Sequence, residues 1–227
     1  MLVSAALALA SDWTPSGSAE VMTAFPTDVG VRGVFEGPGR LRVVGSAGVL
    51  PRPYLGAIND VATGAGWYTD TDAEIIEIAL ENALVLRAHL GWRPFPRQGF
   101  QFELGYSWLG LGGGFTGAEV IEATPGYDLS AFAGDKYSFA ASAALQRVEA
   151  SLGWEHPLYR GLFLRWDLGA SYTLAATARV EREFDTNVLF EELLDRVEDA
   201  AEVELEGILE QYVHTPIVGL GVGWRFQ

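Results

Sequence analysis

From residue 23 onward, apolar and polar residues alternate with period two, the spacing of β-strands that have one apolar face. Leu84, Leu86, Ala88, Leu90 and Trp92 share one face, with Arg87, His89 and Gly91 between them; Phe102, Leu104, Tyr106 and Trp108 repeat the pattern around Glu103, Gly105 and Ser107. This alternation predicts strands over 23–36, 40–50, 83–93, 99–111, 140–155, 162–181 and 213–226. The strand around 140–155 is the least regular, with Gln146 on the apolar side and Leu145 on the polar side, so a bulge is expected there. Three strands end alike: Leu90-Gly91-Trp92-Arg93, Leu152-Gly153-Trp154-Glu155 and Val222-Gly223-Trp224-Arg225, with Val34-Phe35-Glu36-Gly37 as a weaker fourth copy. Each internal copy leads into a hairpin-sized Gly/Pro turn, whereas 51–82, 112–137 and 183–211 are much longer connections. Short turns therefore sit at one end and long loops at the other. Within those loops, 72–82 and 188–211 carry apolar residues at helical spacing behind the capping pairs Thr71-Asp72 and Thr186-Asn187.

Composition decides which face looks inward. The 227 residues are 49% hydrophobic, 30 acids outnumber 15 bases, and there is no cysteine. A disulfide framework is thereby excluded, and a net charge of -15 excludes general nucleic-acid affinity. Mean hydropathy is positive, yet no apolar run reaches the roughly 18 to 20 residues of a spanning helix, so the strands must hold the apolar excess. A soluble lipid-binding barrel would turn the Leu/Trp face inward; a membrane barrel turns it outward. The polar face mixes Gly and Ser with a few Arg and acids, which suits a narrow lumen better than a solvated surface. Phe35, Trp92, Phe100, Trp154, Trp224 and Phe226 lie at the turn-proximal strand ends, and Tyr106, Trp108 and Tyr172 nearer the far ends. Two such girdles mark the interfaces of a bilayer.

With its alternating strands, short turns on one side, long loops on the other and a last strand ending Gly223-Trp224-Arg225-Phe226, the chain resembles the small outer-membrane barrels of the OmpA/OmpX/OmpW type. The resemblance implies an all-β fold: a closed antiparallel up-and-down transmembrane β-barrel of about eight strands, with two amphipathic helices in long loops. It also implies an outer-membrane location, with outer-membrane lipid and the barrel-assembly machinery as partners. Trp224 and Phe226 would be the assembly signal, although Gln227 follows them. Seven predicted strands cannot close a barrel with an even count, so an eighth is needed near the N-terminus. Met1–Ala10 reads either as that strand or as a signal-like segment without the usual basic start. Residues 11–22 read as a polar loop, leaving 23–227 as a single barrel domain; if Met1–Ala10 is instead removed, strand one must come from 11–22, where alternation is poor.

On the polar face, Arg87, His89, Glu103, Arg147, Glu149, Arg165 and Asp167 fall at similar heights. An eight-stranded barrel is only wide enough for side chains to fill, and buried charges must pair, so a salt-bridged and largely closed lumen is expected. If such a plug blocked a pore, substituting Arg87 or Arg165 would raise conductance. A lipid-modifying enzyme would use His89 as base, Glu103 to orient it and Ser107 as nucleophile, but Ser107 lies about 13 Å along the strand from Glu103 at the usual rise. Only three histidines exist, far apart in the pattern, so neither a metal site nor any cofactor is expected. Residues 183–211 hold eleven acids and one base. Their helix is expected to pack on the barrel mouth with its acids facing water; the alternative is capture of cations or a basic partner outside the cell. A structural or surface-interaction role follows, with a narrow channel for small or hydrophobic solutes as the alternative.

Overall fold

The computed structural model describes residues 14–64, 83–116, 138–182, 195–196, 199, 202–203, 206–207 and 215–226. Eight strands close into one antiparallel barrel in which each strand pairs with its neighbours in sequence: β1 (Ser16–Phe25), β2 (Asp28–Glu36), β3 (Leu41–Val49), β4 (Leu84–Phe95), β5 (Phe100–Thr116), β6 (Ser138–Tyr159), β7 (Leu162–Arg182) and β8 (Thr215–Phe226). Closure is made by β1 and β8, from Gly17 opposite Phe226 to Phe25 opposite Val218. The fold is thus the closed up-and-down barrel that the alternation implied.

The eighth strand draws most of its length from the 11–22 stretch, whose poor alternation makes it read as a polar loop. The segment read as one strand over 23–36 is two strands joined at Pro26 and Thr27, so the barrel begins at Ser16 rather than at residue 23. Ser18, Glu20, Met22 and Ala24 of β1 face inward while Ala19, Val21 and Phe25 face outward. Met22 and Ala24 place apolar residues on the inner face and Thr23 a polar one between outward positions, which blurred the alternation. Met1–Ala10 lies outside the described residues. The β1–β2 turn also means that one of the four connections at the long-loop end is short.

The bulge anticipated around 140–155 is real in register but lies on the partner strand: Gln146 pairs with Ala175 and Arg147 with Thr173, leaving Leu174 of β7 as the extra residue. Leu145 keeps its inward place and is fully buried. Its polar-side position reflects an apolar layer inside the barrel rather than a register fault.

Wall height is uneven. β1, β2 and β3 have 10, 9 and 9 residues, about what a tilted strand needs to cross a bilayer. β5, β6 and β7 have 17, 22 and 21, so their long-loop ends stand well beyond the low wall. Helix α1 (Arg52–Gly64), which the alternation did not predict, follows β3. Its Tyr54 packs edge-on against Phe25 with ring centroids 5.1 Å apart and shares a hydrogen bond with the Thr23 hydroxyl. Leu55, the next residue, is fully buried in the apolar layer with Leu50, Val85, Leu109, Leu111 and Leu145.

The helix expected over 72–82 falls outside the described residues. Within 188–211 the described residues Asp195, Arg196, Asp199, Glu202, Val203, Glu206 and Gly207 are helical. There the acids do more than face water. Among the described residues β7 pairs with β8 as far as Ser171, and beyond that point Glu206 Oε1 accepts the Ala178 amide at 2.9 Å and Glu202 Oε1 accepts the Val180 amide at 2.8 Å. Carboxylates one helical turn apart match alternate amides of a strand edge, which is otherwise an open row of donors. Replacing both by Ala is expected to leave the barrel formed while hydrogen exchange at Ala178 and Val180 quickens by about five- to tenfold, the loss of one modest hydrogen bond each. Unchanged exchange at both amides would show that the helix does not anchor there.

Candidate functional site: the barrel lumen

The distribution of side chains is inside-out relative to a water-soluble protein. Leu41, Val43, Leu90, Leu104, Val31 and Val218 are more than half exposed on the outer wall, whereas Arg42, Arg147, Arg165, Glu103 and Gln101 are at most 1% exposed within. Each outward Val, Leu or Phe left in water forgoes about 1.5–3 kcal/mol. An apolar belt running round the whole circumference is far larger than the patches that mark local contacts on soluble proteins. Lipid is the solvent that fits it.

Inside, among the described residues, six arginines (Arg32, Arg42, Arg87, Arg93, Arg147, Arg165) and six carboxylates (Glu20, Asp28, Glu103, Glu149, Glu155, Asp167) are buried, so the formal charges cancel before His89 is counted. They form three levels. Nearest the short turns, the four strand-end repeats each send an aromatic outward and the following charged residue inward. Arg93 lies 3.4 Å from Glu36 and 2.5 Å from Glu155, and Glu155 also accepts from Arg225. Glu36, Arg93, Glu155 and Arg225 thus alternate in sign across β2, β4, β6 and β8. Phe163, 2% exposed, fills the same end with the Arg225 guanidinium 5.6 Å from its ring centre.

At the middle level, Glu103 takes Arg32 as its closest partner, with Arg42 at 3.6 Å and His89 Nδ1 at 3.7 Å. Arg165 bridges Glu20, at 2.7 Å, and Asp167. The upper level centres on Arg87, which donates to Glu149 at 2.8 Å and to the Thr27 hydroxyl at 2.7 Å and lies 2.7 Å from Asp28. His89 Nε2 stands 3.3 Å and Arg147 3.4 Å from Glu149. Above this sits the apolar layer under α1.

Glycines make room for the long side chains. A Cβ at Gly91 would lie 3.0 Å from Glu103 Cγ, at Gly153 2.8 Å from Gln101 Nε2, and at Gly223 2.6 Å from both Glu20 Cγ and Phe163 Cζ. Inward glycines on β4, β6 and β8 therefore face charged or bulky side chains on neighbouring strands. The cavity left beside Arg32, Arg87, His89, Glu149, Arg165 and Asp167 has a volume of about 30 Å³, room for about two waters.

All seven residues singled out from the sequence lie in this interior, spread over the middle and upper levels. Glu20 and Asp28 escape the period-two pattern because β1 carries apolar residues inward and its turn into β2 falls inside an apparently continuous strand. Glu36, Arg93, Glu155 and Arg225 lie outside the predicted set, although the repeat marks them: each is the charged residue directly after the strand-end aromatic. Ser107 is fully buried and accepts from Arg147 Nε at 3.2 Å, while His89 is held between Glu103 and Glu149. Both are walled off from the lipid-facing side of the barrel. Of the expected girdle residues, Trp154 stacks on its cross-strand neighbour Trp166 with centroids 4.3 Å apart, Phe100 meets Trp154 edge-on at 5.3 Å, and Phe35, Trp92, Trp224, Phe226, Tyr106 and Tyr172 are exposed outward. Trp108 is half-buried, its ring folded against Gly110.

The architecture defines a transmembrane β-barrel with a charged, filled interior. No family model and no curated protein matches the chain. Among solved structures it is similar to a major outer membrane protein from Thermus thermophilus, at 14% identity over 94% of this chain and 100% of that one, with a TM-score of 0.47. It is also similar to CarO of Acinetobacter baumannii, at 12% identity over 93% and 97% with a TM-score of 0.40. The N-terminal β-barrel domain of Pseudomonas aeruginosa OprF matches at 9% identity over 93% and 96%, again with a TM-score of 0.40.

Proposed function

We propose that the chain is a bacterial outer-membrane barrel with a structural or surface-interaction role and a lumen that does not conduct. The observation that carries this reading is the stack of barriers in series: the Glu36–Arg93–Glu155–Arg225 level with Phe163, the Glu103 level, the Arg87 level and the apolar layer around Leu55. An ion would have to break paired, desolvated charges at each level, and no single side chain is the latch. The expectation that changing Arg87 or Arg165 alone raises conductance is accordingly revised. In planar bilayers the wild type is expected to be silent, and Arg87→Ala equally so, because three further levels remain closed. Regular single-channel steps from folded wild type would overturn the closed-lumen reading and favour a narrow channel. Trp224 and Phe226, outward on the last strand, would serve the barrel-assembly machinery as its recognition signal, and the acidic 188–211 segment would present the surface met by an extracellular partner.

A further inference from the structure

We propose that the short-turn end of the barrel is a binding surface for anionic phospholipid headgroups, formed by Arg40, Arg97 and Arg160 set just beyond the aromatic girdle. The inference rests on the membrane-barrel reading and adds to it the charge class of the lipid and the end of the barrel that receives it.

Three observations carry it. Each of the three hairpin turns at this end supplies one exposed arginine: Arg40 after Gly39, Arg97 after Pro96 and Arg160 before Gly161. None is engaged by an ion pair among the described residues, whereas Arg93 and Arg225 inside the same end are committed to Glu155. The contrast with the other end is large. The connections 50–83, 117–137 and 183–214 contain 21 acids and 3 bases, while the turns 37–40, 96–99 and 159–161 contain three arginines and no acid.

Depth is the second observation. Arg40 adjoins exposed Leu41, Arg97 follows exposed Phe95 by two residues, and the Arg160 guanidinium lies 5.0 Å from the ring centre of exposed Tyr159. Arg160 directly after Tyr159, and Arg97 two residues beyond Phe95, stand just past interfacial aromatics, where lipid phosphates lie. A phosphate-bearing lipid fits this position, and a soluble polyanion would have to displace the headgroups to reach it.

The third observation is conformational. Arg40 has φ 65° and Arg160 φ 41°, each next to a glycine that also has positive φ. Arg160 and Gly161 are the whole two-residue β6–β7 loop, the tight hairpin that favours Asn-Gly or Gly-Gly, and Arg40 closes the four-residue 37–40 turn. An arginine there works against its own backbone preference, and such local conflicts collect where a side chain serves something other than folding.

The test uses the full chain folded into vesicles of phosphatidylcholine alone or of an equimolar mixture of phosphatidylcholine and phosphatidylglycerol. Quenching of girdle tryptophan fluorescence by brominated phosphatidylglycerol is compared with quenching by brominated phosphatidylcholine. At low salt the wild type is expected to favour the anionic lipid by about fivefold per contributing arginine, and the preference should collapse at high salt. Arg40→Gln/Arg97→Gln/Arg160→Gln should fold, by heat-modifiable gel migration, yet show no preference. Arg40→Gly/Arg160→Gly, which relaxes both turns, should fold at least as well as wild type and lose most of the preference. Folded wild type and triple variant with equal quenching by both lipids would overturn the headgroup surface while leaving the barrel intact. A wild type that stays soluble and monodisperse without detergent and enters neither vesicle would overturn the membrane reading on which it rests.

Discussion

Glu103→Leu is expected to be among the most damaging single changes in the lumen, lowering stability against urea by about 3–5 kcal/mol, the cost of stripping a buried charge of its partner. Glu103 is 1% exposed and is shared by Arg32, Arg42 at 3.6 Å and His89 at 3.7 Å. Removing it leaves, among the described acids, Glu20 at 3.7 Å for Arg32 and Glu155 at 3.9 Å for Arg42. Arg32→Leu/Glu103→Leu should be less destabilised than the sum of its two single variants, with a coupling of about 0.5–3 kcal/mol. Equilibrium unfolding of the four proteins in one detergent or lipid reads this directly. A Glu103→Leu protein as stable as wild type would mean that the lumen is wet enough to solvate its arginines and that the ion pairs contribute little.

Gly105→Ala is the second change with a large expected effect, and Gly33→Ala is its control. A Cβ at Gly105 would fall on the His89 imidazole and the Ala88 carbonyl oxygen and come within 2.6 Å of His89 Cα. Two of those atoms are backbone of the paired strand, so the wall of the barrel must move. The cost is expected at or above the upper end of the usual overpacking range of about 1–3 kcal/mol. At Gly33, on the outer wall, a Cβ meets nothing within 4 Å; Ala there should be neutral or add about 0.4–1 kcal/mol by restricting the unfolded chain. Comparing urea midpoints of the two variants separates an inward glycine kept for space from an outward one. Equal midpoints would show that the eight-stranded wall is more compliant than its packing suggests.

How much of this was legible in the sequence depended on where a residue stood. β4, β5, β7 and β8 could be read because over most of their length the inward residues are polar or glycine and the outward residues apolar. Strand β1 could not. Met22 and Ala24 face inward, and with Ile217 they make a small buried apolar group, so polarity no longer reported direction there. Val85, Leu109 and Leu145 are the same case on β4, β5 and β6, toward the same long-loop end, where an apolar layer lies across the interior. Helix α1 escaped because its packing, Leu55 into the barrel and Tyr54 onto Phe25, divides its apolar residues between two surfaces.

Local chemistry alone settled strand direction, the inside-out dressing of the wall, the girdle and the short turns, because a period-two pattern reports which solvent each face meets. The pairing of charges was decided only by closure. Arg165 meets Glu20 across 145 residues of chain and Arg32 meets Glu103 across 71, and such partners are set by barrel stagger and by which glycines make room, not by neighbours in sequence. The four strand-end repeats show both parts at once. Each copy announces an aromatic outward and a charge inward, but only the closed barrel brings Glu36, Arg93, Glu155 and Arg225 to one height, where alternating signs turn four separate costs of burial into one neutral layer.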